Sequence, residues 1–117
     1  MADSLSALEA EIDAFVQERD WAQFHTPKNL AMSVAIEAAE IMEHFQWSTG
    51  DESRELPAQK RDEVASEIGD VLIYLLRLAR TLGIDPVAAA TVKLELNRTK
   101  YPIEKAKGRA TKYVDFE

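Results

Sequence analysis

The 117-residue sequence contains no cysteine, and it has only four glycines and four prolines. The absence of cysteine excludes a disulfide framework, a thiolate metal site and a cysteine nucleophile, and it favours a reducing compartment. The glycines are scattered at positions 50, 69, 83 and 108, so the sequence has no glycine-rich loop that would cradle a phosphate. No segment has the roughly 18 apolar residues of a membrane-spanning helix, and the N-terminus has no basic stretch followed by an apolar run. We therefore expect a cytoplasmic protein.

Acidic side chains outnumber basic ones, which gives a formal net charge of -7 and a pI near 4.9. Nucleic acid polymers and anionic membranes bind to positive surfaces, so neither is an expected partner. The charge is unevenly distributed: residues 1–92 hold 7 basic and 17 acidic side chains, whereas residues 93–112 hold 7 basic and 2 acidic ones. The dipole of a last helix favours cations near its C-terminus, and such a basic segment is also suited to binding phosphate.

Apolar residues recur at spacings of three and four, and no stretch alternates long enough to indicate a strand. The sequence therefore predicts an all-α fold, a four- to five-helix bundle in one domain over residues 1–117, with a core at about 3–101. Residues 48–56 are expected to form a polar loop, and the basic tail 102–117 is expected to be irregular. Capping residues, first-turn prolines and the stop at Gly83 place the four long helices from Asp3 or Ser4 to about Trp21, from near Pro27 to about Trp47, from Pro57 to Leu82, and from Asp85-Pro86 to about Lys100.

Two of these helices carry an acidic pair at positions i and i+3. Glu37 and Glu40 lie in the second helix, and Glu67 and Asp70 lie in the third. At about 100° per residue each pair falls on one helix face. The first pair forms a narrow polar wedge in an otherwise apolar helix, from which Glu43 points away towards solvent. The two pairs can therefore face each other.

Four neighbouring carboxylates repel one another unless a cation compensates their charge. Oxygen ligands without cysteine select Mg²⁺, with Mn²⁺ as a substitute, over zinc or copper, and Mg²⁺ is usually completed by substrate phosphates. A single E-x-x-E pair is more often a solvated helix face than a metal site. With two matched pairs on adjacent helices, the two interpretations are about equally well supported. A di-iron bundle is disfavoured because its Glu-x-x-His element is absent: Ala22 and Ile41 precede His25 and His44 by three residues.

The pattern E-x-x-E followed on the next helix by E-x-x-D resembles the all-α nucleoside triphosphate pyrophosphohydrolases, the MazG-like superfamily. The sequence is most similar to its dCTP pyrophosphatases. This resemblance covers about residues 5–113. It rests on the segments ERDWAQFH (18–25), PKNL (27–30), FQW (45–47), SEIGDVLIYL (66–75) and NRTKYP (97–102).

The resemblance implies a hydrolase of nucleotide metabolism that cleaves dCTP between the α and β phosphates, yielding dCMP and pyrophosphate, and thereby sanitises the nucleotide pool. It also implies an oligomer, commonly a tetramer, built by helix packing, with some pocket residues from a neighbouring subunit. The family has a histidine near the base where this sequence has Ile12. The implied catalytic residues and Mg²⁺ ligands are Glu37, Glu40, Glu67 and Asp70, and the substrate-binding residues are Trp21, His25, Trp47, Tyr74, Lys93, Asn97, Arg98, Lys100 and Tyr101.

Alternative functions remain at this point. The substrate can be another nucleoside triphosphate or a modified nucleotide, because the sequence does not define the base. A non-catalytic acidic module that self-associates through apolar helix faces also explains the net charge, although it leaves Glu37 unexplained beside Val34, Ala38 and Ile41. The aromatic rings are equally consistent with base stacking and with ordinary core packing.

Overall fold

A computed structural model describes residues 3–117 and shows six α-helices, two 3-10 turns and no strand within that range. The predicted all-α fold class is confirmed. Four of the helices have 15 or more residues, and the other two have four each. The helices are α1 (Ser4–Glu18), α2 (Pro27–Phe45), α3 (Gly50–Ser53), α4 (Ala58–Thr81), α5 (Pro86–Lys100) and α6 (Ile103–Ala106).

Side-chain caps fix the starts of three long helices. Asp3, Thr26 and Asp85 each accept a hydrogen bond from a backbone N–H two or three residues later, at 2.8–3.2 Å. Such caps satisfy N–H groups that have no partner inside the helix. Pro27 and Pro86 occupy the first turns of α2 and α5, where a missing N–H costs nothing. These helices begin at the predicted residues.

Two segments differ from the sequence prediction. Helix α1 ends at Glu18 rather than near Trp21, because Asp20 adopts a left-handed backbone conformation with φ 54°. The expected loop 48–56 contains α3, which begins with a capping box: the Thr49 hydroxyl accepts from the backbone N–H of Glu52, and the Glu52 carboxylate accepts from that of Thr49.

The tail after α5 is also more ordered than expected. It contains α6 and a 3-10 turn at Tyr113–Asp115. The ring of Tyr101 meets the rings of Tyr113 and Phe116 edge to face, with centroids 5.8 and 5.7 Å apart. The prediction of an irregular tail is therefore wrong for these residues, because aromatic contacts order the segment.

The chain divides into two compact units, one ending at Gly83 and the other comprising Ile84–Glu117. In the first unit α2 packs along α4, and α1 also contacts α4. Ile12 and Val16 of α1 form a buried cluster with Leu76 of α4. A single domain spanning residues 1–117 stays a prediction. Among the described helices none is long and apolar enough to cross a membrane.

Candidate active site

The packing of α2 along α4 brings together three of the four predicted carboxylates in one tight group. One carboxylate oxygen from each of Glu37, Glu67 and Asp70 lies within 4.8 Å of the other two. Glu40 lies beside them, since its carboxylate raises the pKa of both Glu37 and Glu67. The i, i+3 spacing places each pair on one face of its helix, and the helix packing turns the two faces towards each other.

The cluster is electrostatically unfavourable as it stands. The hydrogen bond with Glu40, then burial and the charges of neighbouring carboxylates, raise the pKa of Glu37 above its ordinary value. The same causes raise the pKa of Glu67, although His44 opposes them. The Oε2 atoms of Glu37 and Glu67 are buried without a hydrogen-bond partner among residues 3–117. Buried carboxylate oxygens without a donor are suited to a cation.

His44 lies at the edge of this cluster. Its Nε2 atom is 3.8 Å from Oε1 of Glu67, and its Nδ1 atom is 3.8 Å from Oε2 of Glu63. Glu43, on the same helix, is exposed and belongs to neither contact. The imidazole of His44 therefore lies between the carboxylates of Glu63 and Glu67, with one ring nitrogen near each.

An apolar and aromatic cavity of about 390 Å³ adjoins the acidic cluster through Asp70. Trp21, whose ring meets that of Phe15 edge to face at 5.6 Å, forms part of the wall with Tyr74 and His25. Three predicted substrate residues therefore share one cavity with a predicted metal ligand. The remaining lining residues are Leu8, Glu11, Ile12, Val16, Ile73 and Arg77.

Arg77, for which the sequence predicts no role, is buried at 5% exposure in the cavity wall. Its Nη1 atom donates to Oδ1 of Asp13 at 3.0 Å, and its Nε atom donates to Nδ1 of His25 at 3.3 Å. Burial and the nearby guanidinium lower the pKa of His25. Arg80 also reaches Asp13, at 3.4 Å. The signal in the sequence was a lone cation in the apolar run LIYLLRLA (72–79).

The other predicted substrate residues are not among those that line this cavity. Trp47 follows the end of α2 and is 89% exposed, and it does not line the cavity. The other five belong to the second unit: Lys93 and Asn97 lie on α5, Arg98 pairs with Glu95, Lys100 lies over the Tyr113 ring, and Tyr101 ends the helix. Their roles in substrate binding stay predictions.

Facing acidic helices beside an aromatic cavity define an all-α protein with a candidate divalent-metal site. The model of the MazG-like family matches residues 32–116. The crystal structure of a pyrophosphatase from Archaeoglobus fulgidus is 43% identical, with a TM-score of 0.82 over 87% of this chain and 95% of that chain. The chain therefore belongs to the MazG-like family, which confirms the resemblance.

Mammalian relatives extend this comparison. The protein named dCTP pyrophosphatase 1 is 39% identical in Mus musculus and 38% identical in Homo sapiens, over 104 residues that make up 87% of this chain. The chain spans 61% of the length of these two relatives.

Proposed function

We propose that this protein is a nucleoside triphosphate pyrophosphohydrolase that converts dCTP and water into dCMP and pyrophosphate. One observation carries the proposal: the carboxylate group of Glu37, Glu67 and Asp70, with its two unpartnered buried oxygens, opens through Asp70 onto an aromatic cavity. Relatives named dCTP pyrophosphatase 1 and pyrophosphatase support the same chemistry. An acidic interaction module would not need mutually repelling carboxylates with two buried oxygens that lack a hydrogen-bond partner within residues 3–117.

Glu37, Glu40, Glu67 and Asp70 would hold Mg²⁺, with Mn²⁺ as a substitute. The donor set fits such an ion, because it consists of carboxylate oxygens alone and two of them have no donor within residues 3–117. When bound, the ion supplies positive charge for phosphate oxygens and lowers the pKa of water. One of the glutamates accepts the proton of the attacking water. The oxygen of this water forms a bond to the α phosphorus, and the bond from that phosphorus to the oxygen bridging to the β phosphate breaks, so the products are dCMP and pyrophosphate.

The aromatic cavity accommodates the base. Trp21 and Tyr74 offer flat faces for stacking, which contributes about 1–3 kcal/mol per base in proteins that bind single strands. Ile12 and Val16 keep this wall apolar and exclude water. We assign the remaining contacts to the predicted residues: Lys93, Arg98 and Lys100 neutralise phosphate charge, and His25, Trp47, Asn97 and Tyr101 complete the substrate site.

We also propose a homo-oligomer, a tetramer or a dimer, that packs through α2. Met32, Ile36 and Met42 of this helix are 54%, 56% and 71% exposed, which is unfavourable for a surface that stays in water. Packing against a second copy would bury these side chains. The proposed setting is the cytoplasm, with nucleotide-pool sanitation as the purpose and neither a nucleic acid polymer nor a membrane as a partner.

Pyrophosphate release tests the proposed function. With Mg²⁺ present the protein should release pyrophosphate from dCTP, and a panel of deoxy- and ribonucleoside triphosphates should rank dCTP first. Glu37→Gln and Asp70→Asn should each lower kcat/KM by about 100-fold or more while the helical circular dichroism spectrum is kept. Glu43→Gln removes a charge from the same helix as Glu37, but the side chain is exposed, so the change should stay within about twofold.

Two results would contradict the proposal. If none of the triphosphates yields pyrophosphate, the protein is not a pyrophosphohydrolase. If Glu43→Gln loses as much activity as Glu37→Gln, the carboxylate group is not the catalytic centre.

A further inference from the structure

The cavity proposed to hold the base contains one fixed positive charge. Of its lining residues in the described part of the chain, only Arg77 carries a guanidinium or ammonium group. This side chain is 6% exposed, and the apolar side chains of Ile12 and Trp21 line the same cavity. Hydrogen bonds of a charged group in such apolar surroundings are stronger than in water. A ligand in this cavity therefore meets a strong and directional donor.

The guanidinium retains donors that the protein does not use. Arginine has five N–H groups, and Arg77 uses one on Nη1 for Asp13 and the one on Nε for His25. Its Nη2 atom makes no hydrogen bond with residues 3–117. Within these residues, the fully buried side-chain atoms that lack a partner are Oε2 of Glu37 and Oε2 of Glu67, so Nη2 is not fully buried. Nη2 therefore keeps accessible surface on a side chain that lines the cavity.

Asp13 and His25 fix the orientation of this group. Their two acceptors, at 3.0 and 3.3 Å, contact different nitrogens of the planar guanidinium, so its rotation is restricted. A donor held in place before binding loses less entropy when the ligand arrives. If Arg77 only linked α1 to α4, its guanidinium would not need to line the cavity. Arg80 already gives Asp13 a second ion pair from α4.

We propose that Arg77 is a specificity-determining residue that donates its unused N–H groups to O2 and N3 of a cytosine base. This inference rests on the proposed function and deepens it. In cytosine both atoms accept hydrogen bonds, whereas N3 of uracil and thymine carries a hydrogen. Since arginine has no acceptor, the N3–H of those bases would face a donor and remain unpaired. The buried guanidinium thus selects cytosine.

Calorimetric binding of dCMP and dUMP in the presence of Mg²⁺ tests this assignment. The wild type should bind dCMP about 10-fold to 100-fold more tightly than dUMP, which is the range for a hydrogen bond to a charged group. Arg77→Met should reduce that preference to about twofold or less, mainly by weakening dCMP binding. Arg80→Met is the matched control, because it also removes an ion pair with Asp13 but lies outside the cavity lining. It should keep the wild-type preference.

A purely structural role for Arg77 would weaken both nucleotides equally. Equal binding of dCMP and dUMP by the wild type, an unchanged preference in Arg77→Met, or an equal loss in Arg80→Met would each overturn the proposal. Melting temperatures verify that the variants are folded. If Arg77→Met does not fold, the wild type alone decides: it should bind 3-deaza-dCMP, which has C–H in place of N3, about 10-fold more weakly than dCMP. Equal binding of these two would overturn the assignment.

The experiment separates this inference from the proposed function, because dCMP undergoes no hydrolysis. A protein that discriminates dCMP from dUMP through Arg77 but releases no pyrophosphate from dCTP would contradict only the proposed function. It would still support the assignment of Arg77 to cytosine recognition.

Discussion

Magnesium should reverse the effect of one substitution on stability. In EDTA, Glu37→Gln should make the protein more stable than the wild type, because it removes a negative charge from a group of mutually repelling carboxylates and leaves a neutral amide. In Mg²⁺ the order should change, because the wild type gains binding free energy that the variant largely loses. A side chain with only a structural role would have the same sign of effect in both conditions.

The size of the magnesium effect follows from linkage. An ion that binds only the folded protein stabilises it by about 2.7 kcal/mol at a concentration 100 times its Kd. For a chain of 117 residues this corresponds to an increase in Tm of about 10 °C. Removing one ligand that weakens binding at least tenfold reduces the same shift to about 6 °C or less.

Thermal unfolding followed by far-ultraviolet circular dichroism measures both effects. Tm is recorded in EDTA and over a MgCl₂ titration, with NaCl at matched ionic strength as the comparison. Glu43→Gln also removes one negative charge from α2, but from an exposed position, so its magnesium shift should match that of the wild type within about 2 °C. If Glu37→Gln keeps the full wild-type shift, Glu37 is not a metal ligand.

Two further predictions concern pH and packing. In EDTA, stability should fall as the pH rises above 4.5, the ordinary pKa of glutamate, because the raised pKa values of Glu37 and Glu67 mean that the folded state holds protons more tightly than the unfolded state. If Tm rises as the pH increases above 4.5, or if Tm falls with pH as steeply in Glu37→Gln as in the wild type, the raised pKa values are not the cause. Leu30→Ala should cost about 2–5 kcal/mol in urea unfolding, because Leu30 is 1% exposed. Val92, at 70% exposure, is the control, and a comparable loss in Val92→Ala would show that burial does not determine the cost.

Local signals in the sequence determine where the long helices begin. Asp3, Thr26 and Asp85 act through neighbours two or three residues away, so sequence alone reveals such starts. The capping box of Thr49 and Glu52 was equally visible, and the prediction of a loop there gave too much weight to polar composition. The ordered tail was not visible, because Tyr101 meets Phe116 across fifteen positions of the chain, and sequence periodicity does not report such contacts.

The candidate site also has features that the sequence predicts and features that only the structure shows. Helix periodicity alone indicates that Glu37 and Glu40 share a face, and the structure adds the distance between that face and Glu67. The contacts of Arg77 needed three-dimensional information, because its partners Asp13 and His25 are 64 and 52 positions away in the chain. A lone arginine in an apolar helix indicates that a partner must exist, but it does not identify that partner.

The same helix pair carries the candidate metal ligands and much of the packing of the first unit. Packing of α2 along α4, with Leu30 fully buried, favours folding, whereas the carboxylates that this packing brings together oppose it until a cation binds. Packing and repulsion both depend on the distance between α2 and α4. Moving the helices apart would relieve the repulsion, but it would also separate the carboxylates. Burial of apolar side chains on these two helices therefore holds the carboxylates of Glu37 and Glu67 close together. An ion of the kind proposed would meet a site that is already assembled, and its binding would add to the stability of the fold.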